Sequence, residues 1–138
     1  MAFVNLKPGT LLAPVPAVLV SCARKGEKPN AVTIAWAGTV NSDPPMVSIS
    51  VRPERYSHDI IEETGEFVVN LCGEENLQAT DWCGVKSGRD LDKVKECGFT
   101  VLAGEGNAPY FDEAELDRAI ASYQKRDRRF GGVKKGSV

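Results

Sequence analysis

The sequence is poor in the groups that usually carry protein-based catalysis. It has one histidine, His58, and its four cysteines, Cys22, Cys72, Cys83 and Cys97, form no Cys-x-x-Cys pair. A zinc centre built from thiolates and imidazoles is therefore not expected, and no metal site is assigned. No Gly-x-Gly-x-x-Gly fingerprint occurs among the 13 glycines, so a nicotinamide dinucleotide would have to dock transiently rather than occupy a Rossmann site. Aromatic residues make up only 7% and the net charge is −2, which fits poorly with stacking in a basic groove and argues against a nucleic-acid partner. No apolar run is long enough to cross a membrane. The first residues, Met1 to Pro16, are broken by Lys7, Pro8, Pro14 and Pro16 and do not read as a signal peptide, so a cytoplasmic location is expected.

What remains is an ordinary globular composition, 42% hydrophobic and 26% charged over 138 residues, which is one domain's worth of chain. A domain of this size buries roughly 68–70% of its unfolded surface, enough for a single core. The cysteines read as small buried hydrophobes in a reducing compartment. A redox role, for Cys83 beside Gly84 for instance, is the alternative, but nothing nearby in sequence would lower a thiol pKa.

Ala17 to Ala23 is almost wholly apolar, as in a strand covered on both faces. Arg24 to Pro29 connects it to a second strand that starts at Asn30 and runs through Trp36 towards Thr39. Alternation puts Val32, Ile34 and Trp36 on one face and the small residues Thr33, Ala35 and Ala37 on the other. With Gly38, that small face would let something flat approach the backbone. The cluster Asn41-Ser42-Asp43-Pro44-Pro45 predicts a turn, and Met46 to Arg52 a third strand. From Arg55 a short helix is expected, with Ser57 as its N-cap, Asp59 at its positive end, Ile60 and Ile61 inward and Gly65 as its stop. Glu66 to Cys72 returns as a strand. Helices are expected over Glu74 to Cys83, ended by Gly84, and over Asp90 to Glu96, ended by Gly98, followed by a strand over Phe99 to Leu102. Leu116, Ala119, Ile120 and Tyr123 have the spacing of one helical stripe, and Arg126 to Val138 reads as a basic, flexible tail. The expected division is thus one domain over 1–125 and a tail over 126–138.

Four stretches together, in this order and spacing, resemble the flavin reductase-like, FMN-binding split-barrel family, which includes flavoredoxin and related flavin and ferric reductases. They are Asn30-Ala31-Val32-Thr33-Ile34-Ala35-Trp36, Asp43-Pro44-Pro45 with its following strand, Arg55-Tyr56-Ser57-His58-Asp59-Ile60, and Gly65-Glu66-Phe67-Val68-Val69-Asn70-Leu71. A fifth is Ser87-Gly88-Arg89-Asp90-Leu91-Asp92-Lys93. The resemblance implies a mainly β protein, a split β-barrel with peripheral helices, binding FMN non-covalently and forming homodimers. Members of the family continue past the Ala108-Pro109 stretch with further strands. None is recognisable after Pro109, so barrel closure here is expected to be incomplete or different.

A phosphate needs N–H donors and cations, and a helix N-terminus supplies the first. Ser57, Arg55, Lys93 and the Ser87-Gly88-Arg89 loop are the candidates for that end. As residues alone, Ser57 reads first as a plain N-cap, and Arg55, Arg89 and Lys93 as lone surface charges; the resemblance reverses that order. For the ring, Trp36 can stack or can be a core residue, while Asn30 and the backbone of Thr33, Ile34, Ala35 and Trp36 could bond its polar edge. The resemblance implies Asn30, Trp36, Ser57 and Lys93 as flavin contacts, with Thr33, Ser50 and Arg55 as weaker ones; Asn70 is as readily a strand-end turn residue. His58 reads as a surface residue of its helix rather than a proton donor. No catalytic side chain is assigned, in keeping with chemistry carried by a cofactor.

The resemblance implies an oxidoreductase passing electrons through FMN from NAD(P)H or a protein donor to flavin, ferric iron or a protein acceptor. The alternatives are an FMN-binding electron carrier without NAD(P)H activity and a degenerate or truncated barrel acting as a non-catalytic ligand-binding subunit.

Overall fold

A computed structural model of the chain describes residues 3–112; the expected helix over Leu116 to Tyr123 and the basic tail lie outside the described residues. Three antiparallel sheets organise it. The first has the order β2-β1-β5, built from β1 (Val18–Cys22), β2 (Asn30–Ile34) and β5 (Val68–Asn70). The second is the hairpin of β3 (Ala37–Ser42) and β4 (Pro45–Ile49), and the third pairs β6 (Val101–Leu102) with β7 (Tyr110–Phe111). Among the described residues three α-helices, α1 (Tyr56–Thr64), α2 (Leu77–Val85) and α3 (Lys93–Cys97), pack around them.

The run of apolar residues in β1 has the meaning expected of it: every residue is buried, because both faces of its sheet are covered. On one face Leu19 and Ala31 meet Cys83 of α2, Val94 of α3 and Phe111 of β7. On the other, Val18, Val20, Val32 and Ile34 meet Ile49, Ile61 and Phe67. The polar side chain of Asn70 is sealed within the first face. Its Nδ2 donates to the Leu19 carbonyl at 3.1 Å and to Ser21 Oγ at 3.0 Å, and its Oδ1 accepts the Phe111 N–H at 3.0 Å. Ser21 in turn donates to the Pro109 carbonyl. Asn70 thus ties β7 to the sheet, and all its groups are paired as burial demands.

Several boundaries differ from the expected ones. The strand starting at Asn30 ends at Ile34, and a bend at Ala35 carries the chain from the first sheet to the second. That corner turns Trp36 off the face of Val32 and Ile34: both are buried, whereas Trp36 is 44% exposed. The small face of the strand does not stand open along its length either. Thr33 donates its hydroxyl to the Thr80 carbonyl of α2. Gly84 lies inside α2 rather than ending it, and it packs closely on β2: a Cβ there would sit 3.3 Å from that of Thr33. The turn after Asn41 is shorter than expected, with β3 continuing to Ser42 and β4 beginning at Pro45. Gly65 and Gly98, with φ of +68° and +70°, end α1 and α3 as expected.

Candidate functional site

Two clefts hold most of the candidate residues. The tighter one, of about 80 Å³, is lined among others by Asn30, Arg55, Ser57, Ser87, Gly88 and Lys93. Four elements meet there: the start of β2, the first turn of α1, the loop after α2 and the first residue of α3. Its volume is roughly that of three waters, the scale of a single tetrahedral oxyanion.

Ser57 is not an N-cap. Arg55 occupies that position without a side-chain capping bond, and Ser57 lies in the first turn of α1, only 1% exposed. Its Oγ accepts a 2.7 Å hydrogen bond from Nδ2 of Asn30, itself 4% exposed. The Ser57 hydroxyl proton is then left for another acceptor. One is the Cys22 thiol, whose pKa burial pushes up while the contact with Ser57 and the nearby Lys93 charge oppose the rise.

Lys93 is the unusual member. It is 3% exposed, and its Nζ donates to the Cys83 carbonyl at 2.9 Å. Arg55 donates from Nη1 to the next carbonyl, that of Gly84, also at 2.9 Å. Both cations therefore sit on the C-terminal turn of α2, where helix carbonyls lack intrahelical partners and the dipole is negative. Those partners are neutral: among the described residues neither cation has a carboxylate in ion-pair contact. Burial pushes the Lys93 ammonium below its ordinary pKa, and the Arg55 charge pushes it the same way, against the opposing pull of the Cys83 thiol. Two cations facing one small cleft without an anion make a positive, partly desolvated socket.

Gly88, expected only as part of the Ser87-Gly88-Arg89 loop, has a steric role of its own. A Cβ at that position would lie 2.1 Å from Asn30 Oδ1 and 2.9 Å from the Tyr56 ring, so only glycine lets this loop close against the cleft. Its place between Ser87 and Arg89 was a signal for a turn but not for this close approach. Ser87 caps its own loop, its Oγ accepting the Arg89 N–H at 3.2 Å. Arg89 turns to the rim: it donates to the Glu54 carbonyl at 2.8 Å, reaches Asp59 at 3.4 Å and covers the Tyr56 ring at 5.5 Å. Its charge is thus shared with a carboxylate that the two inner cations lack.

The wider cleft, about 420 Å³, is lined by Ala35, Trp36, Ala37, Gly38, Ser48, Ser50 and the N-terminal stretch including Gly9 to Leu12. That volume falls in the range of small-molecule sites. A Cβ on Gly38 would meet nothing within 4 Å, so the floor is open there. Arg52 stands 5.6 Å over the Trp36 ring, and the Trp36 carbonyl accepts the Ser50 N–H at 2.9 Å. Val32 lines the first cleft and Ala35 the second; three residues apart, they are at most about 11 Å from each other.

The structure therefore brings Asn30, Arg55, Ser57, Ser87 and Lys93 to one cleft and Ala35, Trp36 and Ser50 to the other. It leaves Arg89 at the rim, Thr33 bonded to α2 and Ile34 in the core. His58 lies on the outer side of α1 near Asp59 and Glu62, at 3.5 Å and 3.9 Å.

A family model described as a flavin reductase like domain matches residues 11–117. Flavoredoxin of Desulfovibrio vulgaris superposes with a TM-score of 0.75 at 33% identity, covering 81% of this chain and 62% of that one. Flavoredoxin of Methanosarcina acetivorans gives a TM-score of 0.70 at 31% identity, with 81% and 60% covered. A high molecular weight rubredoxin of Moorella thermoacetica is 30% identical over 101 residues, 72% of this chain and 43% of that protein. The chain thus spans less than two thirds of the length of each of these relatives. With the sheets, helices and paired clefts described above, these likenesses assign the chain to the flavin reductase-like family and its fold to the mainly β split barrel with peripheral helices.

Proposed function

We propose that this chain binds FMN non-covalently and serves as the flavin-holding part of an oxidoreductase of the flavin reductase or flavoredoxin type. The observation that carries the reading is Lys93, a buried cation with a neutral carbonyl as its partner, set beside Arg55 and the Asn30–Ser57 pair. A charge buried without an anion is costly, and a phosphate entering the cleft supplies that anion. The residues fit the group: two cations, a serine hydroxyl and the first turn of α1 converge on a cleft of oxyanion size, against which Gly88 lets its loop close.

FMN, when bound, supplies the electron and hydride chemistry. In this reading Lys93, Arg55 and Ser57 hold its phosphate. Asn30 orients Ser57, and the α2 C-terminus aims both cations. The open floor at Ala35 and Gly38, with Trp36 at its side, takes the flat ring. The electron donor is NAD(P)H docking over the ring or a reduced protein; the acceptor is free flavin, ferric iron or a protein. The homodimer implied by the family would cover the exposed apolar residues of the β3–β4 hairpin, Val40, Met46 and Val47.

The test is a visible spectrum of the purified protein after incubation with FMN and desalting, with the released flavin identified. Stoichiometric FMN is expected; a protein that retains none under any condition overturns the reading. The electron-carrier alternative draws on the missing dinucleotide fingerprint and on the rubredoxin relative. NAD(P)H oxidation with added flavin or ferric chelate separates the two, since a carrier shows none while still accepting electrons from a reduced protein.

A further inference from the structure

The C-terminal turn of α2 and the end of α3 bring two thiols together. Cys83 and Cys97, both free, have their Sγ atoms 3.7 Å apart. Cys83 is wholly buried, while Cys97 is half-buried on the wall of a separate cleft of about 410 Å³ lined also by Glu75, Gln78, Trp82 and Glu96. Cys97 thus borders the cleft, and Cys83 is buried beside it. A disulfide needs about 2.05 Å between sulfurs, so closure draws the two together by roughly 1.6 Å. Lys93 is caught between them: it opens the helix that Cys97 ends, and its ammonium is anchored on the Cys83 carbonyl.

We propose that Cys83 and Cys97 are a redox dithiol, closed to a disulfide when Cys97 meets a small disulfide in the Trp82 cleft, and that closure shifts Lys93 within the anion cleft. The second half rests on the phosphate reading given above. In the first step the Cys97 thiolate attacks one sulfur of the small disulfide, whose S–S bond breaks and releases one small thiol. In the second, Cys83 gives up its proton and attacks the Cys97 sulfur of the mixed disulfide, releasing the second small thiol. Two protein thiols are oxidised and one small disulfide is reduced to two thiols, so electrons and protons balance. The order follows from access: Cys83 is wholly buried, and burial, with Cys97 alongside, pushes its thiol up to about 12, which keeps it from making the first attack. Glu75 and Glu96 on the cleft wall favour an oxidant with cationic ends. Cys72, the other thiol packed against this cluster, has its own contact with the Asn70 carbonyl at 3.7 Å.

Cystamine, a small disulfide with two ammonium ends, is the probe. The reduced protein is treated with it, mapped by non-reducing peptide mass spectrometry, and titrated with FMN before and after. The expected product lacks two hydrogens, links the Cys83 and Cys97 peptides and leaves Cys22 and Cys72 open to alkylation after unfolding. FMN affinity falls about tenfold, the loss of one charge-assisted contact, and dithiothreitol restores it. Cys97→Ser and Cys97→Ala keep the affinity of the reduced protein and lose the response. A cystamine adduct that stays on Cys97, or a bridge to Cys72, overturns the dithiol. A Cys83–Cys97 disulfide with unchanged FMN affinity overturns the switch. If the reduced protein binds no FMN, the phosphate reading and the switch built on it both fail, and the peptide map still decides the dithiol.

Discussion

The tight cleft around Lys93 and the β3–β4 hairpin beside Trp36 are joined by a few residues of chain, yet they are built in opposite ways. Around Lys93 four elements converge; Asn30, Ser57 and Lys93 are each under 5% exposed, and the polar contacts are specific. Beyond Trp36, β3 and β4 pair only with each other among the described residues, and almost every residue of both is exposed. A lone two-stranded ribbon is marginal in water. The tight cleft is therefore preformed by the three helices and the first sheet, whereas the hairpin end is an exposed surface, which under the proposed FMN reading a ligand or another chain would complete. That division predicts that changes at the first end act strongly on binding or fold, and changes at the second act weakly on stability.

The largest effect is expected from Gly88→Val. Its side chain would collide with Asn30 and Tyr56, destabilising the fold by about 1–3 kcal/mol and abolishing FMN binding; thermal melts and flavin titration measure both. A variant of wild-type stability and affinity would mean that the loop is not closed against the cleft.

Lys93→Met separates binding from stability. Losing the charge-assisted contact should weaken FMN binding by roughly 10- to 100-fold. The flavin-free protein should be as stable as the wild type or more so, because a buried uncompensated charge is removed. A fall in both would make Lys93 a structural residue.

The same lysine sets a pH dependence. Its folded pKa lies below the ordinary 10.5, so between the two values the unfolded chain holds more protons than the folded one. This contribution to stability therefore rises with pH through the alkaline window just below 10.5 and is least favourable at neutral pH. The buried thiols of Cys22 and Cys83, with raised pKa values, act in the opposite direction. The difference in melting temperature between wild type and Lys93→Met, followed across that window, isolates the lysine; a constant difference would deny the shift.

Ser57→Ala should cost less, about five- to tenfold in FMN affinity with about 1 kcal/mol of stability, since Asn30 Nδ2 loses its buried acceptor. The smallest effect on the fold is expected from Trp36→Leu. At 44% exposure its replacement should change stability by no more than about 0.5 kcal/mol while altering the fluorescence of added FMN. A large loss of stability with unchanged flavin signal would place the ring elsewhere.

Much of this was legible in the sequence because it depends on local pattern. The unbroken apolar run of β1 announces two covered faces, and Gly65 and Gly98 mark helix ends through the positive φ they adopt. Arg55, Ser57, Ser87 and Lys93 were identified as one group through the order of their motifs. Trp36 was misplaced on the face of Val32 and Ile34 because alternation assumes a straight strand, and the bend at Ala35 is imposed by the change of sheet. Ser57 looked like a cap because caps are read from residue type, whereas Arg55 holds that position.

By itself, then, the sequence determined the β-rich character of the fold and the helix stops, and the family resemblance carried by its motifs named the residues that could hold an anion. The first two follow from periodicity and backbone preference, which are properties of neighbours along the chain. Only the tertiary structure decided that Lys93 is buried on a carbonyl rather than solvated, that Gly88 must lack a side chain, and that Cys83 faces Cys97. Burial and close approach arise where elements distant in sequence meet, and packing alone brings them there.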